Sequence, residues 1–432
     1  MDSKNFVLKL YFLIYTLFLH FIMTFPTEPS FEKPQAINLD QITNSTVLVR
    51  VSFDIPSFDD IERILDAIPT IKQLLEQKNK LILCTKWGKI KEKIEIKEMI
   101  NHPKSTSLLL PILAKELKKV LPEYENNLHD SDLINYRNQF AAPSFAELKI
   151  DLYRHNFKFS PIVLLENTHF DPREKSKNEA ERIEIAEEYA KLADFFVDEG
   201  FSSSHRVEAT NTEIKTLLLF SFGLSFAREV ENLEKLKTPE KPFIILMGGA
   251  KLETKLPLLK RLLPVADKIL VGGLLAFTFI KAANLNSENS QNKIDLPEIF
   301  DSKVEEDFVA TAQELLRNYP EKIVLPSDFV YDENLENSTL RKTAGDIGEL
   351  TIAKFGREIE NCKTLIWNGP MGFFEKKPFD KATHQIAEII TKSQCFSVLG
   401  GGDTNASLGK GILDKFGFVS MAGGATLDFL SR

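Results

Sequence analysis

From Ile37 onward, short runs of apolar and β-branched residues alternate with longer stretches whose apolar positions recur at helical spacing. The first run is Val47–Phe53, the next is Leu81–Thr85, and the residues between them follow the helical period. A strand, a helix and another strand in this order predict a parallel βαβ unit. The same criterion predicts further strands at Ile162–Glu166, Asp194–Asp198, Phe243–Met247, Lys268–Gly272, Lys322–Pro326, Thr364–Asn368 and Phe396–Gly400.

The length of the chain indicates that this α/β pattern forms two lobes. At 432 residues the chain is too long for one ordinary core. The charged, helix-prone stretch Leu224–Lys241 is broken by prolines and is the best place for a boundary. We therefore predict two doubly wound parallel sheets joined by a helical hinge, with ligands at the carboxyl ends of the strands. The predicted segments are an N-terminal lobe at 36–225, a C-terminal lobe at 226–412 and a final segment near the hinge at 413–432.

Residues 1–35 precede the strand pattern and predict a targeting segment. Leu10–Phe25 is almost entirely apolar, with Lys4 and Lys9 before it and Pro26 after it, as in a signal peptide or a short signal anchor. A buried core helix is the alternative, but this run is apolar nearly all round. We expect an organelle reached by the secretory route, such as a plastid, with the cytoplasm as the alternative. Cleaved and anchored forms both remain open.

Composition and charge exclude few classes of protein function. A hydrophobic fraction of 43% with 27% charged residues is ordinary for a soluble enzyme, and the net charge of -8 provides no overall attraction to nucleic acid or anionic lipid. Cys84, Cys362 and Cys395 lack the spacing of a zinc site or a disulfide framework, so we interpret them as small buried apolar residues. The polar stretch at about 124–158 is predicted to be an insertion without chemistry.

Glycines follow several of the later strands. The segments at the strand ends are Gly248–Lys251, Gly272–Gly273, Asn368–Gly372 and Gly400–Thr404. A single glycine after a strand often means only a turn that needs positive φ. Repeated in one lobe, such turns predict a phosphate site, because exposed backbone amides hold phosphate and glycine lets a nucleotide approach closely.

Charged residues beside these glycines supply candidate chemistry. Lys251 and Lys255 are four apart, so on a helix they share a face and can point at one anion, although a solvated helix face is the alternative. Asp403 is suited to hold a magnesium ion that bridges phosphates, and Thr404 to donate to a phosphate oxygen. A helix N-cap is the alternative for Asp403.

Several segments occur in the order and at roughly the spacing found in phosphoglycerate kinases. They are VLVRVSFDIP, LLENTHF, GFSSSHR, GGAKLETK, AFTFIKA, WNGPMGFFE and GGGDT. Residues 37–432 therefore resemble that family, in which the C-terminal lobe binds ADP or ATP, the N-terminal lobe binds phosphoglycerate, and hinge closure brings the lobes together. The resemblance implies a monomeric phosphotransferase with a carboxyl group as acceptor, using Mg²⁺ with ADP or ATP.

The resemblance also implies which residues act. Those expected to contact the nucleotide are Gly249, Ala250, Lys251, Lys255, Gly272, Gly273, Asn368, Pro370, Phe373, Glu375, Gly401, Gly402, Asp403 and Thr404. Within this set, Asp403 is the metal position and Glu375 accepts from the ribose hydroxyls. Those expected to balance charge during transfer are Arg63, Lys251, Lys255 and Gly402, with the amide near Gly424.

The segments that resemble the phosphoglycerate site depart from the usual family sequence. The family's VDFNVP is VSFDIP here, so Ser52 replaces an aspartate and Asp54 an asparagine. In an HLGRP-like turn, Lys86 and Lys89 replace a histidine and an arginine, and His169 replaces an arginine in LLENTHF. The residues expected to contact the substrate are Ser52, Asp54, Arg63, Lys86, Lys89, His169 and Arg206.

Charge decides how far these substitutions matter. Lys86, Lys89 and Arg206 still offer cations to a substrate phosphate, although lysine cannot form arginine's bidentate fork. An extra carboxylate at Asp54, about 4 Å from an anion, costs about 4 kcal/mol at an effective dielectric of about 20. Because Ser52 removes a nearby carboxylate, a simple shift of charge along the strand is the alternative.

These observations leave more than one function open. The first hypothesis is an active phosphoglycerate kinase. The second is a nucleotide-binding paralogue with a regulatory or structural role and no turnover, and the third is a kinase for another carboxylated or phosphorylated anion. The lysines and GGGDT favour an enzyme, whereas the altered KWGK and VSFD segments favour the paralogue.

Overall fold

A computed structural model describes residues 36–55, 57–90, 98, 102–121, 161–250, 252–286, 298–299, 306–331 and 343–431. The chain divides into two compact units between Glu231 and Asn232. The predicted targeting segment, the predicted insertion and Lys251 lie outside the described residues.

The first unit is built on a five-stranded parallel sheet in the order β3-β2-β1-β4-β5. Its strands are β1 (Thr46–Arg50), β2 (Lys80–Cys84), β3 (Ile162–Leu164), β4 (Phe195–Asp198) and β5 (Phe220–Phe222). Its helices are α1 (Glu62–Glu76), α2 (Leu110–Val120) and α3 (Glu179–Ala190), and α4 (Leu224–Glu234) crosses the division between the units.

Alternate residues of this sheet enter two separate cores. Val47 and Val49 of β1 pack in one cluster with Ile71 of α1, whereas Leu48 between them packs in another with Ile185 of α3. Side chains alternate across a strand, so these clusters lie on opposite faces of the sheet. The sheet is therefore covered by helices on both faces, as predicted for a doubly wound lobe.

The second unit contains a six-stranded parallel sheet in the order β14-β13-β12-β6-β7-β9. Its strands are β6 (Phe243–Met247), β7 (Lys268–Val271), β9 (Ile323–Val324), β12 (Thr364–Asn368), β13 (Phe396–Gly400) and β14 (Phe418–Ser420). Its helices are α5 (Leu252–Leu262), α6 (Gly273–Asn286), α7 (Glu306–Asn318), α8 (Glu349–Glu360), α9 (Lys381–Lys392), α10 (Gly402–Ser407), α11 (Lys410–Leu413) and α12 (Gly424–Ser431).

The central strands of this sheet are buried along their whole length, which is typical of parallel sheets. On one face, Trp367 of β12 packs in a cluster with Phe355 of α8 and Ile386 of α9. The prediction of two parallel α/β lobes is confirmed.

A smaller three-stranded sheet accompanies the main sheet of the second unit. Its order is β10-β11-β8, with β8 at Glu298–Ile299, β10 at Phe329–Tyr331 and β11 at Thr343–Ile347. β10 and β11 are antiparallel, whereas β11 and β8 are parallel. At the end of the chain, β14 extends the main sheet and α12 packs against α5. Across the described ranges, no helix is both long and apolar enough to cross a membrane.

Candidate active site

The glycine segments of the second unit meet at the carboxyl ends of its central strands. The strand order reverses at β6, because β7 and β9 lie on one side of it and β12, β13 and β14 on the other. In doubly wound sheets, ligands bind at such a switch point, outside the carboxyl ends of the strands. The segments after β6, β7, β12 and β13 all lie at this edge.

These segments pack backbone against backbone. The amide of Gly248 donates to the Asn368 carbonyl at 2.9 Å, and the amide of Gly249 donates to the Pro370 carbonyl at 2.8 Å. A Cβ on Gly248 would lie 2.2 Å from the Pro370 carbonyl oxygen, so no larger residue fits without a backbone shift. Glycine is therefore required here for the close approach of two strand ends.

The turn after β7 packs on the same backbone. The Gly273 amide donates to the Met371 carbonyl at 2.9 Å, and the Gly272 amide donates to the Met247 carbonyl at 2.8 Å. Gly273 has a φ of +57°, and a Cβ there would lie 2.3 Å from the Gly249 nitrogen. The amides of Gly249, Gly272 and Gly273 thus donate within the protein, and these residues serve by keeping the edge narrow.

Lys255 lies at the centre of this edge. It comes from α5, is only 5% exposed, and its ammonium donates to the Gly248 carbonyl. The ammonium also lies within 2.6 Å of the position that a Cβ on Gly249 would take, and within 2.5 Å of the same position on Gly369. The alternative of a solvated helix face is therefore wrong for Lys255.

Side chains also tie β12 to β13. The Thr404 hydroxyl accepts from the Gly369 amide at 2.7 Å and donates to the Gly400 carbonyl at 3.1 Å. The Asn368 amide group donates to the same Gly400 carbonyl at 3.0 Å. Asn368 and Thr404 are buried, so in this structure they shape the edge from beneath.

The exposed part of the edge begins at α10. Gly401, with a φ of +107°, caps this helix, and Asp403 is exposed in its first turn. The N-cap alternative for Asp403 is therefore wrong. Gly402 is also exposed, and a Cβ on it would meet no atom within 4 Å. Other predicted nucleotide contacts that are exposed are Ala250, Phe373 and Glu375, whereas Pro370 is buried.

In the first unit, the predicted substrate residues also follow the carboxyl ends of adjacent strands. Asp54 after β1 forms an ion pair with Lys86 after β2, and its other carboxylate oxygen accepts from the Gly88 amide at 2.8 Å. The Arg63 guanidinium donates to the Asp54 carbonyl at 2.7 Å. Burial opposes ionisation, but the Lys86 ammonium and the Gly88 amide outweigh it and lower the pKa of Asp54.

The remaining predicted residues near Asp54 differ in exposure. Ser52 is partly buried, and its hydroxyl is hydrogen-bonded to that of Ser202, whereas Lys89 is exposed. Asn167, after β3, accepts from the Trp87 amide at 3.1 Å and donates to the Trp87 carbonyl at 2.8 Å. The turn that carries Lys86 and Lys89 is thus fastened to the segment that carries His169.

Glu208 contacts two other residues that are predicted to bind the substrate. His169 Nε2 lies 3.1 Å from Glu208 Oε1, and Arg206 NH1 lies 3.8 Å from the same oxygen. Glu208 Oε2 accepts from Arg50 NH2 at 3.0 Å. Burial opposes ionisation, but the hydrogen bond to His169 and the charge of Arg50 lower the pKa of Glu208 to about 2.

Glu208 and Arg50 are functional residues that the sequence pattern alone does not reveal. Arg50 is the last residue of β1 and is buried, so its charge was hidden within an apolar strand pattern. A carboxylate two positions after Arg206 was the available signal for Glu208. Neither residue was assigned a role, because only the folded chain shows that their charges meet.

Similarity to known proteins agrees with this geometry. Residues 37–432 match the family model for phosphoglycerate kinase. The chain is 33% identical over 411 residues to a phosphoglycerate kinase of Macrococcus caseolyticus, covering 90% of this chain and 94% of that protein. It is 34% identical over 413 residues to one from Fusobacterium nucleatum, with the same coverage.

Solved structures give the same result. The phosphoglycerate kinase of Coxiella burnetii has a TM-score of 0.69 and 28% identity, and that of Pyrococcus horikoshii has a TM-score of 0.70 and 25% identity. In both comparisons 90% of this chain and 94% of the solved chain are covered. From its sequence and its fold, this chain belongs to the phosphoglycerate kinase family.

Proposed function

We propose that this protein is a phosphoglycerate kinase, a phosphotransferase that moves a phosphoryl group reversibly between 1,3-bisphosphoglycerate and ADP to give 3-phosphoglycerate and ATP in glycolysis. The observation that carries the proposal is the buried ammonium of Lys255 at a glycine-lined switch point. Desolvation makes a buried cation favour a nearby anion, and this ammonium lies at the edge where doubly wound sheets bind their ligands. A nucleotide phosphate bound at this edge would lie beside the Lys255 ammonium.

Phosphoryl transfer asks the protein mainly for positioning and charge balance on the moving group. Lys255 supplies positive charge at the strand ends, and Lys251, Arg63 and the Gly402 amide are the other groups proposed to share this role. Gly249, Gly272 and Gly273 contribute by letting the strand ends pack closely at this edge. Phe373 and Glu375, which are exposed after β12, are proposed to contact the base and the ribose.

The metal proposed for this site is Mg²⁺. At the start of α10 the structure offers one exposed carboxylate, Asp403, and no group of three or more His, Cys, Asp or Glu side chains that could hold a metal ion is found in the described part of the chain. One carboxylate is sufficient, because Mg²⁺ bound with a nucleotide takes its other ligands from phosphates and water. When bound, Mg²⁺ would neutralise charge on the phosphates.

The first unit is proposed to bind the phosphoglycerate through Ser52, Arg63, Lys86, Lys89, His169 and Arg206. The pairing of Asp54 with Lys86 changes the expectation for this pocket, because that carboxylate does not face the substrate as an uncompensated charge. The same pairing removes one cation from those available to the substrate. This observation favours the second candidate function, a nucleotide-binding paralogue without turnover.

A coupled assay of the full chain separates the two functions. We expect ATP consumption that depends on 3-phosphoglycerate and on Mg²⁺, and calorimetry should show binding of Mg-ADP. Binding of Mg-ADP with no turnover above buffer at saturating substrate would support the paralogue instead. Absence of both would contradict either function.

We propose that residues 1–35 target the protein to an organelle reached by the secretory route, and that the protein is a monomer. The support for targeting is the apolar run after Lys4 and Lys9. A tagged copy without residues 1–35 should move to the cytoplasm, and an unchanged location would contradict the proposal. Light scattering should give a mass near the 49.1 kDa of one chain, whereas a multiple of it would exclude a monomer.

A further inference from the structure

In the first unit, the carboxylate of Glu208 already contacts two residues that are expected to meet the substrate. One oxygen faces His169 at 3.1 Å and Arg206 at 3.8 Å, and the other accepts from Arg50 at 3.0 Å. The carboxylate is only 4% exposed, so water screens these charges weakly. The Glu208 carboxylate thus contacts the same groups that an anionic ligand would contact.

Glu208 is fixed in this position more firmly than its outer partner. Its anchor is Arg50, which is buried and is itself held by the Ser203 hydroxyl at 2.8 Å and the Gly200 carbonyl at 3.2 Å. The Arg206 side chain, in contrast, is 45% exposed. A ligand that needs Arg206 must therefore draw it from Glu208, because the carboxylate cannot follow without leaving Arg50.

Lys86, another residue expected to meet the substrate, is also in an ion pair. Lys86 is paired with Asp54, and the charges of both Arg206 and Glu208 act on its ammonium. Lys86 and Arg206 thus both face protein carboxylates. An arriving phosphate dianion gains these cations only against the opposing charge of Glu208.

We propose that Glu208 is a specificity-determining residue, an internal carboxylate that competes with the substrate phosphate for His169 and Arg206. This proposal rests on the proposed function, which identifies the ligand as a phosphoglycerate. Repulsion from a fixed carboxylate scales with the charge of the ligand group, so Glu208 disfavours a phosphate dianion more than a carboxylate alone. The pocket therefore discriminates less strongly in favour of the phosphorylated acid than it would without Glu208.

The test compares the full chain with Glu208→Gln, using 3-phosphoglycerate and glycerate as ligands in binding titrations. Glutamine keeps the size of the side chain and removes its charge. We expect 3-phosphoglycerate to bind about tenfold or more tightly to the variant, and glycerate to change by less than about threefold. Glu184→Gln is the matched control, because Glu184 is exposed and pairs with Arg173 away from this pocket.

The outcomes separate this inference from the proposed function. If Glu208→Gln binds 3-phosphoglycerate more tightly but neither protein turns over, the inference stands and the proposed function fails. If the parent turns over and Glu208→Gln has unchanged or weaker affinity for 3-phosphoglycerate, the inference is overturned and the function stands. If neither protein binds 3-phosphoglycerate, both are overturned.

Removal of Glu208 takes one partner from Arg50, so folding of the variant is checked by cooperative melting. If the variant does not fold, the parent protein provides the test. The ring resonances of His169, assigned with a His169→Gln variant, should shift as 3-phosphoglycerate displaces the contact with Glu208. Resonances that stay fixed at saturating ligand would overturn the proposal.

Discussion

At the scale of single residues, the first unit contains acids whose burial sets their protonation. Burial raises the pKa of Glu174 to about 8, against the hydrogen bond from Thr210 and the charge of Arg50. Burial also raises the pKa of Glu199 to about 7, against hydrogen bonds from Thr70 and from the backbone at the start of α4. Glu208, with a pKa of about 2, behaves in the opposite way because cations surround it.

Glu174 predicts a loss of stability as the pH rises. An unfolded glutamate releases its proton near pH 4, whereas folded Glu174 keeps its proton until about pH 8, so the free energy of unfolding falls between these values. The slope is about 1.4 kcal/mol per pH unit for each such group. Between pH 7 and 8, above the pKa of Glu199, Glu174→Gln should lose less stability than the parent.

Urea unfolding at several pH values, followed by tryptophan fluorescence, measures this difference, since Trp87 lies in the same unit as Glu174. Equal slopes of the free energy of unfolding against pH for the parent and Glu174→Gln would contradict the raised pKa of Glu174.

The pH dependence of stability that Glu208 contributes has the opposite sign. Its stabilisation is complete above about pH 4 and is lost as the pH falls toward its folded pKa of about 2.

The cysteines are expected to differ in reactivity. A hydrogen bond from Cys362 and one with the Ser393 hydroxyl, at 3.1 Å, lower the pKa of Cys395, although burial opposes this. Cys84 is fully buried, and desolvation raises its pKa. We expect iodoacetamide at neutral pH to modify Cys395 first, as read by peptide mass spectrometry. Labelling of Cys84 at the same rate would be inconsistent with this prediction.

At the scale of strands and helices, the predictions succeeded where burial fixes the pattern. Phe243–Met247, Thr364–Asn368 and Phe396–Gly400 were predicted with the bounds that the structure shows, because these parallel strands are almost entirely buried apolar runs. The helix between β1 and β2 was also predicted. Local pattern sufficed because both faces of each sheet are covered by helices.

The strands that were not predicted lack that pattern. They are β5, β8, β10, β11 and β14. β11 contains Gly345 and Asp346, which are unusual in strands, but a Cβ on Gly345 would lie 2.4 Å from the ring of Phe379. The glycine is there for a contact between segments distant in sequence. No local rule reveals such a contact.

The same distinction applies to the site. The glycine turns could be placed at one edge from sequence because each directly follows a predicted strand, and the roles of Lys255 and these turns toward a nucleotide stay predictions. Glu208 was missed because its position is fixed by an ion pair with Arg50, which lies 158 positions away in the sequence. Gly249 and Gly273 were expected to donate their amides to a phosphate. In the structure these amides donate within the protein, and the two glycines instead allow close packing of the turns.

The packing of the glycine turns can be tested directly. A Cβ at Gly273 would lie 2.3 Å from the Gly249 nitrogen, and the φ of +57° disfavours alanine as well. Gly273→Ala should therefore displace the turn after β6 and weaken Mg-ADP binding by at least about tenfold, as measured by calorimetry.

Gly411→Ala is the matched control for this prediction. A Cβ at Gly411 meets no atom within 4 Å, and its φ is not positive. It should bind Mg-ADP like the parent. If Gly273→Ala bound Mg-ADP as tightly as Gly411→Ala, the close packing of these turns would not govern nucleotide binding.

At the scale of the whole molecule, charge is distributed unevenly between the surface and the sites. The net charge of -8 does not attract anions, yet the carboxyl edge of each sheet gathers cations. In the first unit Lys86 is paired with Asp54 and Arg50 with Glu208, whereas in the second the ammonium of Lys255 donates to the Gly248 carbonyl. Both edges thus place cations where anionic ligands are proposed to bind.

The most direct test of phosphoryl transfer at this edge is the rate of 3-phosphoglycerate-dependent ATP consumption by the full chain and by Lys255→Met. Methionine keeps the length of the side chain and removes its charge. Lys260→Met is the control, because Lys260 lies on the same helix but is half exposed and pairs with Glu314. We predict turnover in the parent and in Lys260→Met, and a loss of roughly a hundredfold or more in Lys255→Met. No turnover in the parent, or equal rates in parent and Lys255→Met, would contradict the account.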